Sequence, residues 1–445
     1  MRRLFGTDGV RGIVNEYPMT LEVCQKIAEA IFVKFCFCDN KQVIPLVLIG
    51  HDPRSSADMF ECAMSAVFFA RGVNVLQAGV VSTPHLAMLT RSLLANVGIM
   101  ISASHNPGQY NGIKLFTCGG AKLTDKEEVD LEKIIGESYA RSPVRNEGPV
   151  GRYSSLSLHH SEYYEKIENV FRINMEQARA TKVVVDCANG SVSYYVLRTL
   201  SEAYGFDILC INNQPNGTNI NENCGVTHPQ IICDAVLEYQ ADVGLSFDGD
   251  GDRILISDEN GKILDGDHIL ALLAMSESCK EVVSTIMANT ALEQYLSFQG
   301  IRLVRTAVGD RHVSDYMQKN NLEFGAEPSG HVIIASHLMS GDGLFAGLKI
   351  LEIMLRSRKK SSELRLFESY PTIRRDLPIR DKSVVEEPGV RRRIQELQKQ
   401  LEGKGKLIVR PSGTEPMIRI MAEGNDVAEL QRAVDDLSQI LTDNQ

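Results

Sequence analysis

Short apolar runs recur along this chain, and each breaks off in a cluster of polar turn residues. Val43 to Ile49 stops at Gly50-His-Asp-Pro-Arg54, Val97 to Ile101 at Ser102-Ala-Ser-His-Asn-Pro107, Lys182 to Asp186 at Cys187-Ala-Asn-Gly190, and Asp242 to Phe247 at Asp248-Gly-Asp-Gly-Asp-Arg253. Between the runs, apolar residues return at helical spacing, as in Leu21, Cys24, Ile27, Ala28 and Ile31 behind a capping Thr20. Ser56 is expected to cap the next helix. Strands alternating with helices require an α/β architecture.

A chain of 445 residues is too long for one core, so several domains are expected. The strand–helix pattern runs over 1–150, restarts after the loose stretch Arg141 to Gly151, and starts again near Ile254. Three α/β segments of similar make-up follow, 1–150, 151–253 and 254–363. From about Leu364 the pattern changes to a long amphipathic helix (Val390 to Leu401), two strands (Leu407 to Val409 and Met417 to Met421) and a last helix from Val427 to Leu441. That reads as a smaller α+β domain over 364–445.

A net charge of −10 argues against nucleic acid or an acidic membrane surface as the main partner. An anionic substrate would need its basic residues gathered locally. The ten cysteines are scattered, and Cys36-Phe-Cys38 lacks metal-ligand spacing, so free thiols in a reducing compartment are expected. Met1-Arg2-Arg3 is followed by a glycine-rich loop where a leader's apolar region should be, and no apolar run approaches a membrane span. The expected location is the cytoplasm.

The loops carry the chemistry. Val97 to Ile101 delivers Ser104 and His105 to a loop, and Asn111-Gly112 turns the chain into a second run holding Lys114. This is one way to present a hydroxyl nucleophile beside a basic group, although a plain strand–turn–strand connection accounts for the Asn, Pro and Gly equally well. Asp248, Asp250 and Asp252 stand two residues apart with glycines between them, an oxygen-only set suited to Mg²⁺. An EF-hand reading would also use Glu259, but Arg253 replaces the required glycine and both flanks look like strands. Arg253 directly after the carboxylates suits an anionic group shared with the metal. Arg410-Pro-Ser-Gly-Thr-Glu-Pro-Met-Ile-Arg419 combines two arginines with the hydroxyls of Ser412 and Thr414 on a turn at Gly413, the make-up of a phosphate cradle without P-loop spacing. Glu327, Ser329 and His331 offer groups of the kind that read sugar hydroxyls.

With these loops in order along its whole length, the chain resembles the α-D-phosphohexomutases. The pieces that match are Phe5-Gly-Thr-Asp-Gly-Val-Arg-Gly12, Gly50 to Arg54, Ser102 to Pro107, Asp248 to Arg253, Gly325-Ala-Glu-Pro-Ser-Gly-His331 and Arg410 to Pro416. Asn216 to Gly225 and Val308 to Val313, with Gly309 as a substrate contact, resemble the branch of bacterial phosphoglucosamine mutases. Val226 and Pro328 depart from that branch.

The resemblance implies four domains around a central cleft, three α/β with mixed sheets and a smaller C-terminal one. It also implies that Ser104 carries a phosphate and exchanges it with a sugar monophosphate through a glucosamine 1,6-bisphosphate. One Mg²⁺ per active site would sit on Ser104, Asp248, Asp250 and Asp252. Arg11, Lys114 and Arg253 would add positive charge, Lys114 or His331 would move protons, and Arg410, Ser412, Gly413, Thr414 and Arg419 would hold the phosphate that is not reacting. A homodimer is allowed. The competing readings are a phosphoglucomutase or phosphomannomutase of the same family, a phosphoserine-type phosphatase, for which a second phosphate site gains little, and a sugar-phosphate binder without catalysis, which would need no nucleophile.

Overall fold

The computed structural model describes residues 4–6, 8–37, 44–138, 149–157, 162–379, 381–411 and 417–443. Arg141 to Gly148 of the expected linker, Cys38, and Ser412, Gly413, Thr414, Glu415 and Pro416 of the expected cradle loop lie outside these residues.

Among the described residues the strands form three mixed sheets and one antiparallel sheet. The first places Val97–Ile101 near its middle, parallel to Leu46–His51 and antiparallel to Tyr110–Thr117, whose other edge pairs with Val10–Ile13. Its apolar runs are continuous because both faces are covered. Val47, Ile49, Val97, Ile99 and Ile101 join Phe60 and Phe68 in one core, while Leu48 and Met100 join Leu86 and Leu89 in another. Each fully buried side chain of this size contributes about 1.5–3 kcal/mol relative to exposure. Gly98 has no side chain for a steric reason: a Cβ there would lie 2.0 Å from Thr90 Oγ1.

The second sheet runs Lys182–Asp186 parallel to both Asp207–Ile211 and Val243–Phe247, with Ile254–Asp258 antiparallel to the last. In the third, Glu281–Thr285 pairs in parallel with Phe324–Ala326, and Val332–Ile334 returns antiparallel. Helix starts follow the expected chemistry in part. Thr20 accepts from the backbone N–H of Val23 and so caps Leu21–Ile31. Ser56 precedes the helix Ala57–Ala70 without capping it, because its hydroxyl accepts instead from Asn111 Nδ2 at 2.8 Å.

The chain divides into two compact units, 1–286 with 304–365, and 287–303 with 366–445. In the second, Met417–Gly424 lies between Thr372–Pro378 and Gly405–Pro411, all antiparallel, under the helices Pro388–Leu401 and Val427–Asp443. The helix Thr290–Phe298 belongs to this unit, its N-terminus held by the Glu423 carboxylate, which accepts from the N–H of Thr290 at 2.7 Å. Thr372–Pro378 has no counterpart among the expected strands. Arg374, Arg375 and Asp376 hide the inward alternation of Ile373 and Leu377. No helix among the described residues is long and apolar enough to cross a membrane.

Candidate active site

Ser104 stands just past the end of Val97–Ile101 with φ at 52°, in the left-handed region that a serine enters only when its surroundings insist. Those surroundings are specific. Its N–H donates to Ser102 Oγ at 2.9 Å, and Ser102 Oγ donates to Asp52 Oδ2 at 2.6 Å. Asp52 also takes Arg54 Nε at 3.0 Å, both side chains being fully buried. The Arg54 fork then reaches the backbone of the loop, donating to the carbonyl oxygens of Ser104 at 3.0 Å, Asn106 at 2.7 Å and Tyr110 at 2.9 Å. Asn221, from the second α/β segment, donates to the same Ser104 and Asn106 carbonyls at 2.8 and 3.0 Å. The Ser104 hydroxyl is thereby aimed at Asp248, donating to Oδ2 at 2.7 Å. His105 Nδ1 lies 3.5 Å from that hydroxyl. Burial, with Arg253 and Arg11 nearby, pushes the His105 imidazole down to about 3, so it is neutral.

The loop Asp248 to Asp252 connects the antiparallel strands Val243–Phe247 and Ile254–Asp258, and all three carboxylates are buried. One oxygen from each lies within 4.8 Å of the others. Asp250 Oδ1 and Asp252 Oδ1 are buried and accept no hydrogen bond among the described residues. Burial, with Asp252 and Asp250 beside it, pushes the Asp248 carboxyl well up. Convergent carboxylates with bare buried oxygens fit a hard divalent cation. Glu259, which the calcium-loop reading needs, accepts from the hydroxyls of Ser361 and Ser362 at 2.7 and 2.6 Å, and its flanks are strands.

Positive charge is brought to the same place. Lys114 Nζ donates to Asp250 Oδ2 at 2.8 Å and Asp252 Oδ2 at 3.0 Å, and lies 2.9 Å from Asp8 Oδ2. Burial opposes its charge, but the three carboxylates outweigh it and hold the ammonium well above its ordinary range. Arg11 donates to Asn106 Oδ1 at 2.9 Å and Asp8 Oδ2 at 3.1 Å. Arg253 has its backbone N–H on Asp248 Oδ1 at 3.1 Å. His331 Nε2 is 3.1 Å from Asp310 Oδ2, and Nδ1 is 3.7 Å from Asp252 Oδ1. Burial works against its charge, yet Asp310 and Asp252 raise it to about 10.

The loop ahead of His331 pairs Glu327 with Gly309, whose N–H donates to Glu327 Oε1 at 3.0 Å, while Ser329 is exposed. The bridge between Arg253 and His331 ties this loop to the carboxylate loop. In the second compact unit, Arg410 and Arg419 face each other across adjacent strands, and Arg419 Nε is 3.9 Å from Asp376 Oδ1. Like charges opposite one another disfavour a strand pair.

Asp8, Lys122, Asp310 and Asn221 belong to this network, although sequence reasoning assigned them no role. Lys122 Nζ donates to Asp8 Oδ1 at 2.6 Å and also to Asp310 Oδ2, joining the first α/β segment to the third. Asp8, Asn221 and Asp310 each sit inside a stretch already singled out, Phe5 to Gly12, Asn216 to Gly225 and Val308 to Val313; Lys122 has no such signal.

Four domain descriptions of one family match the chain in order. Phosphoglucomutase/phosphomannomutase alpha/beta/alpha domains I, II and III match residues 2–141, 161–261 and 265–370, and the C-terminal domain matches 373–440. The chain belongs to the phosphoglucomutase/phosphomannomutase family. It is thus a phosphohexomutase-family enzyme with three α/β domains and a smaller C-terminal domain. It is 40% identical over 442 residues to the phosphoglucosamine mutase of Sphingopyxis alaskensis, covering 98% of both chains. It is 41% identical over 445 residues to that of Ruegeria sp. strain TM1040, again covering 98% of each. A phosphoglucomutase/phosphomannomutase family protein from Burkholderia thailandensis shares the fold at a TM-score of 0.80 with 22% identity, over 100% of this chain and 98% of that one.

Proposed function

We propose that this enzyme interconverts glucosamine 6-phosphate and glucosamine 1-phosphate, supplying amino-sugar nucleotide and cell-wall precursor synthesis. The observation that carries the chemistry is the 2.7 Å contact between Ser104 Oγ and Asp248 inside the buried carboxylate triplet. The identity of about 40% to full-length phosphoglucosamine mutases supports the amino sugar.

In the working enzyme Ser104 carries a phosphoryl group. A sugar hydroxyl attacks its phosphorus, the P–Oγ bond breaks, and a glucosamine 1,6-bisphosphate forms. After the bisphosphate turns over, Ser104 Oγ attacks its other phosphate and recovers the phosphoryl group. Asp248, Asp250 and Asp252, together with the group on Ser104, would hold Mg²⁺, which supplies charge neutralisation on the transferring phosphoryl. Lys114, Arg253 and Arg11 add fixed positive charge there at no reorganisation cost. Lys114 and His331, each set among carboxylates at this point, are the groups that would move a proton between the attacking hydroxyl and the departing oxygen. Arg410 and Arg419, with Ser412, Gly413 and Thr414, hold the phosphate that is not reacting, and Glu327, Ser329 and Gly309 read the sugar. We further infer a cytoplasmic enzyme, possible as a homodimer, with the nine described cysteines all free.

The test is phosphopeptide mapping of active protein combined with kcat/KM for the glucosamine, glucose and mannose phosphates, each activated by its own bisphosphate. One phosphate on Ser104, loss of turnover in Ser104→Ala and a preference for the amino sugar are expected. Equal or better use of glucose or mannose phosphate would leave a phosphoglucomutase/phosphomannomutase. Wild-type turnover by Ser104→Ala would remove the phosphoserine.

A further inference from the structure

The strand Leu46–His51 ends in a histidine that the catalytic network does not use. His51 Nδ1 lies 2.8 Å from the carbonyl oxygen of Asp52. A carbonyl only accepts, so the Nδ1 proton is committed to it and Nε2 is the ring atom left for a ligand. That nitrogen faces two carboxylates on the first turns of the helix Ala57–Ala70. Nε2 is 3.8 Å from Asp58 Oδ1 and 3.6 Å from Glu61 Oε2. Asp58 and Glu61, three residues apart, share one face of that helix.

These separations are too long for hydrogen bonds but close to those of atoms sharing a metal ion. With zinc-to-ligand bonds of about 2.0–2.2 Å, the corners of a tetrahedron stand about 3.3–3.6 Å apart. One ligand atom from each of His51, Asp58 and Glu61 lies within 4.8 Å of the others.

A second observation points the same way. The Glu61 side chain is 4% exposed, and its Oε2 accepts from Gln77 Nε2 at 3.0 Å. Its Oε1 is buried without a hydrogen-bond partner among the described residues. A bare buried carboxylate oxygen is costly unless a cation or donor meets it. Beside these groups a cavity of about 440 Å³ is lined by Asp58, Glu61, Cys62, Ser65, Gln77 and Tyr153, leaving room for a further ligand.

We propose that His51, Asp58 and Glu61 form a second divalent-metal site, one that takes a borderline ion of the Zn²⁺ type and leaves a coordination position open to the cavity. The imidazole donor and tetrahedral spacing disfavour Mg²⁺, which demands octahedral oxygen ligation at shorter separations. The hydrogen bond from His51 Nδ1 to a backbone carbonyl is the arrangement that fixes ring orientation in metal-bound histidines. A metal here would pin the end of the strand to the helix one residue before Asp52, which anchors the Ser104 loop.

The catalytic aspartates also bind divalent ions, so the test must separate the two sites. Metal-stripped full-length protein is titrated with Zn²⁺ by calorimetry in excess Mg²⁺, as wild type, Asp250→Asn, His51→Gln and Glu61→Gln. Wild type and Asp250→Asn should bind one Zn²⁺ equivalent whose affinity falls at least tenfold in His51→Gln and Glu61→Gln. Co²⁺ in its place should give the visible absorption of a four-coordinate ion in wild type and Asp250→Asn but not in His51→Gln. Thermal melts without metal check that each variant folds; should Glu61→Gln not fold, His51→Gln decides. Equal Zn²⁺ binding by wild type and folded His51→Gln overturns the proposal. So does loss of all Zn²⁺ binding in Asp250→Asn, since only the catalytic carboxylates would then hold the ion.

Discussion

Arg54 Nη2 donates to the carbonyl oxygen of Ser104 at 3.0 Å, across 50 residues of sequence. The same guanidinium reaches Asn106 and Tyr110 and is neutralised by Asp52. One buried fork therefore fixes the whole turn that carries the nucleophile.

Replacing that fork separates positioning from stability. Arg54→Ala leaves the Asp52 carboxylate buried and unpaired, which costs about 3–5 kcal/mol and should appear as a much lower denaturation midpoint. Arg54→Lys keeps the charge but cannot reach several carbonyls at once. It should fold, incorporate less phosphate on Ser104 and lose kcat with KM nearly unchanged. A Lys variant with wild-type phosphorylation and kcat would show that the loop holds itself.

Removing a carboxylate from the triplet should strike the chemical step. Asp250→Asn should lower kcat by about 10²–10³-fold or more, the range for losing one preorganised electrostatic partner. Excess chelator should abolish turnover, Mg²⁺ should restore it, and Ca²⁺, with its longer bonds and larger coordination number, should restore it poorly. Full turnover in chelator would contradict a metal on these aspartates.

Stability should carry the signature of His85. Its ring stacks on Tyr163 with centroids 4.3 Å apart, and burial pushes the imidazole down to about 3. In the unfolded chain it titrates near its ordinary value of about 6.5. Below that pH the unfolded state binds the extra proton, so the stability present above it is lost as pH falls towards 3. The slope is about 1.4 kcal/mol per pH unit. Urea midpoints at successive pH values should fall more steeply for wild type than for His85→Phe between pH 6 and pH 4. Parallel curves would mean that His85 charges without penalty in the folded protein.

Arg419→Ala should raise KM by about tenfold or more, as expected for a charge-assisted hydrogen bond, for both monophosphate and bisphosphate. Contacts made equally in ground and transition states act on KM and not on kcat. Unchanged KM for both ligands would place the phosphate cradle elsewhere.

Local chemistry explains what was legible beforehand. The spacing of Asp248, Asp250 and Asp252 and the break after Ile101 are encoded within a few residues, and the structure brings both to one point. Lys122 was not legible, because its partners Asp8 and Asp310 lie 114 and 188 residues away and only the packed fold joins them. Asn221 lay inside the singled-out stretch Asn216 to Gly225, but its role was not legible, since its amide serves the backbone of a loop 117 residues earlier. Ser56 misled for a related reason: a distant Asn111 claimed the hydroxyl that a local rule assigned to capping.

The pairing of Met100 with Lys114 in adjacent antiparallel strands restricts how this sequence can drift. Side chains alternate faces at every residue, so deleting one residue between Tyr110 and Ile113 would carry Leu115 into the carboxylate nest and swing the Lys114 ammonium into the apolar layer behind it. Lineages descended from this chain can lengthen or shorten the exposed ends of its loops at little cost. Along the few residues leading to Lys114, gaps of a single residue should be absent from every functional descendant, and only paired insertions that restore the alternation would survive.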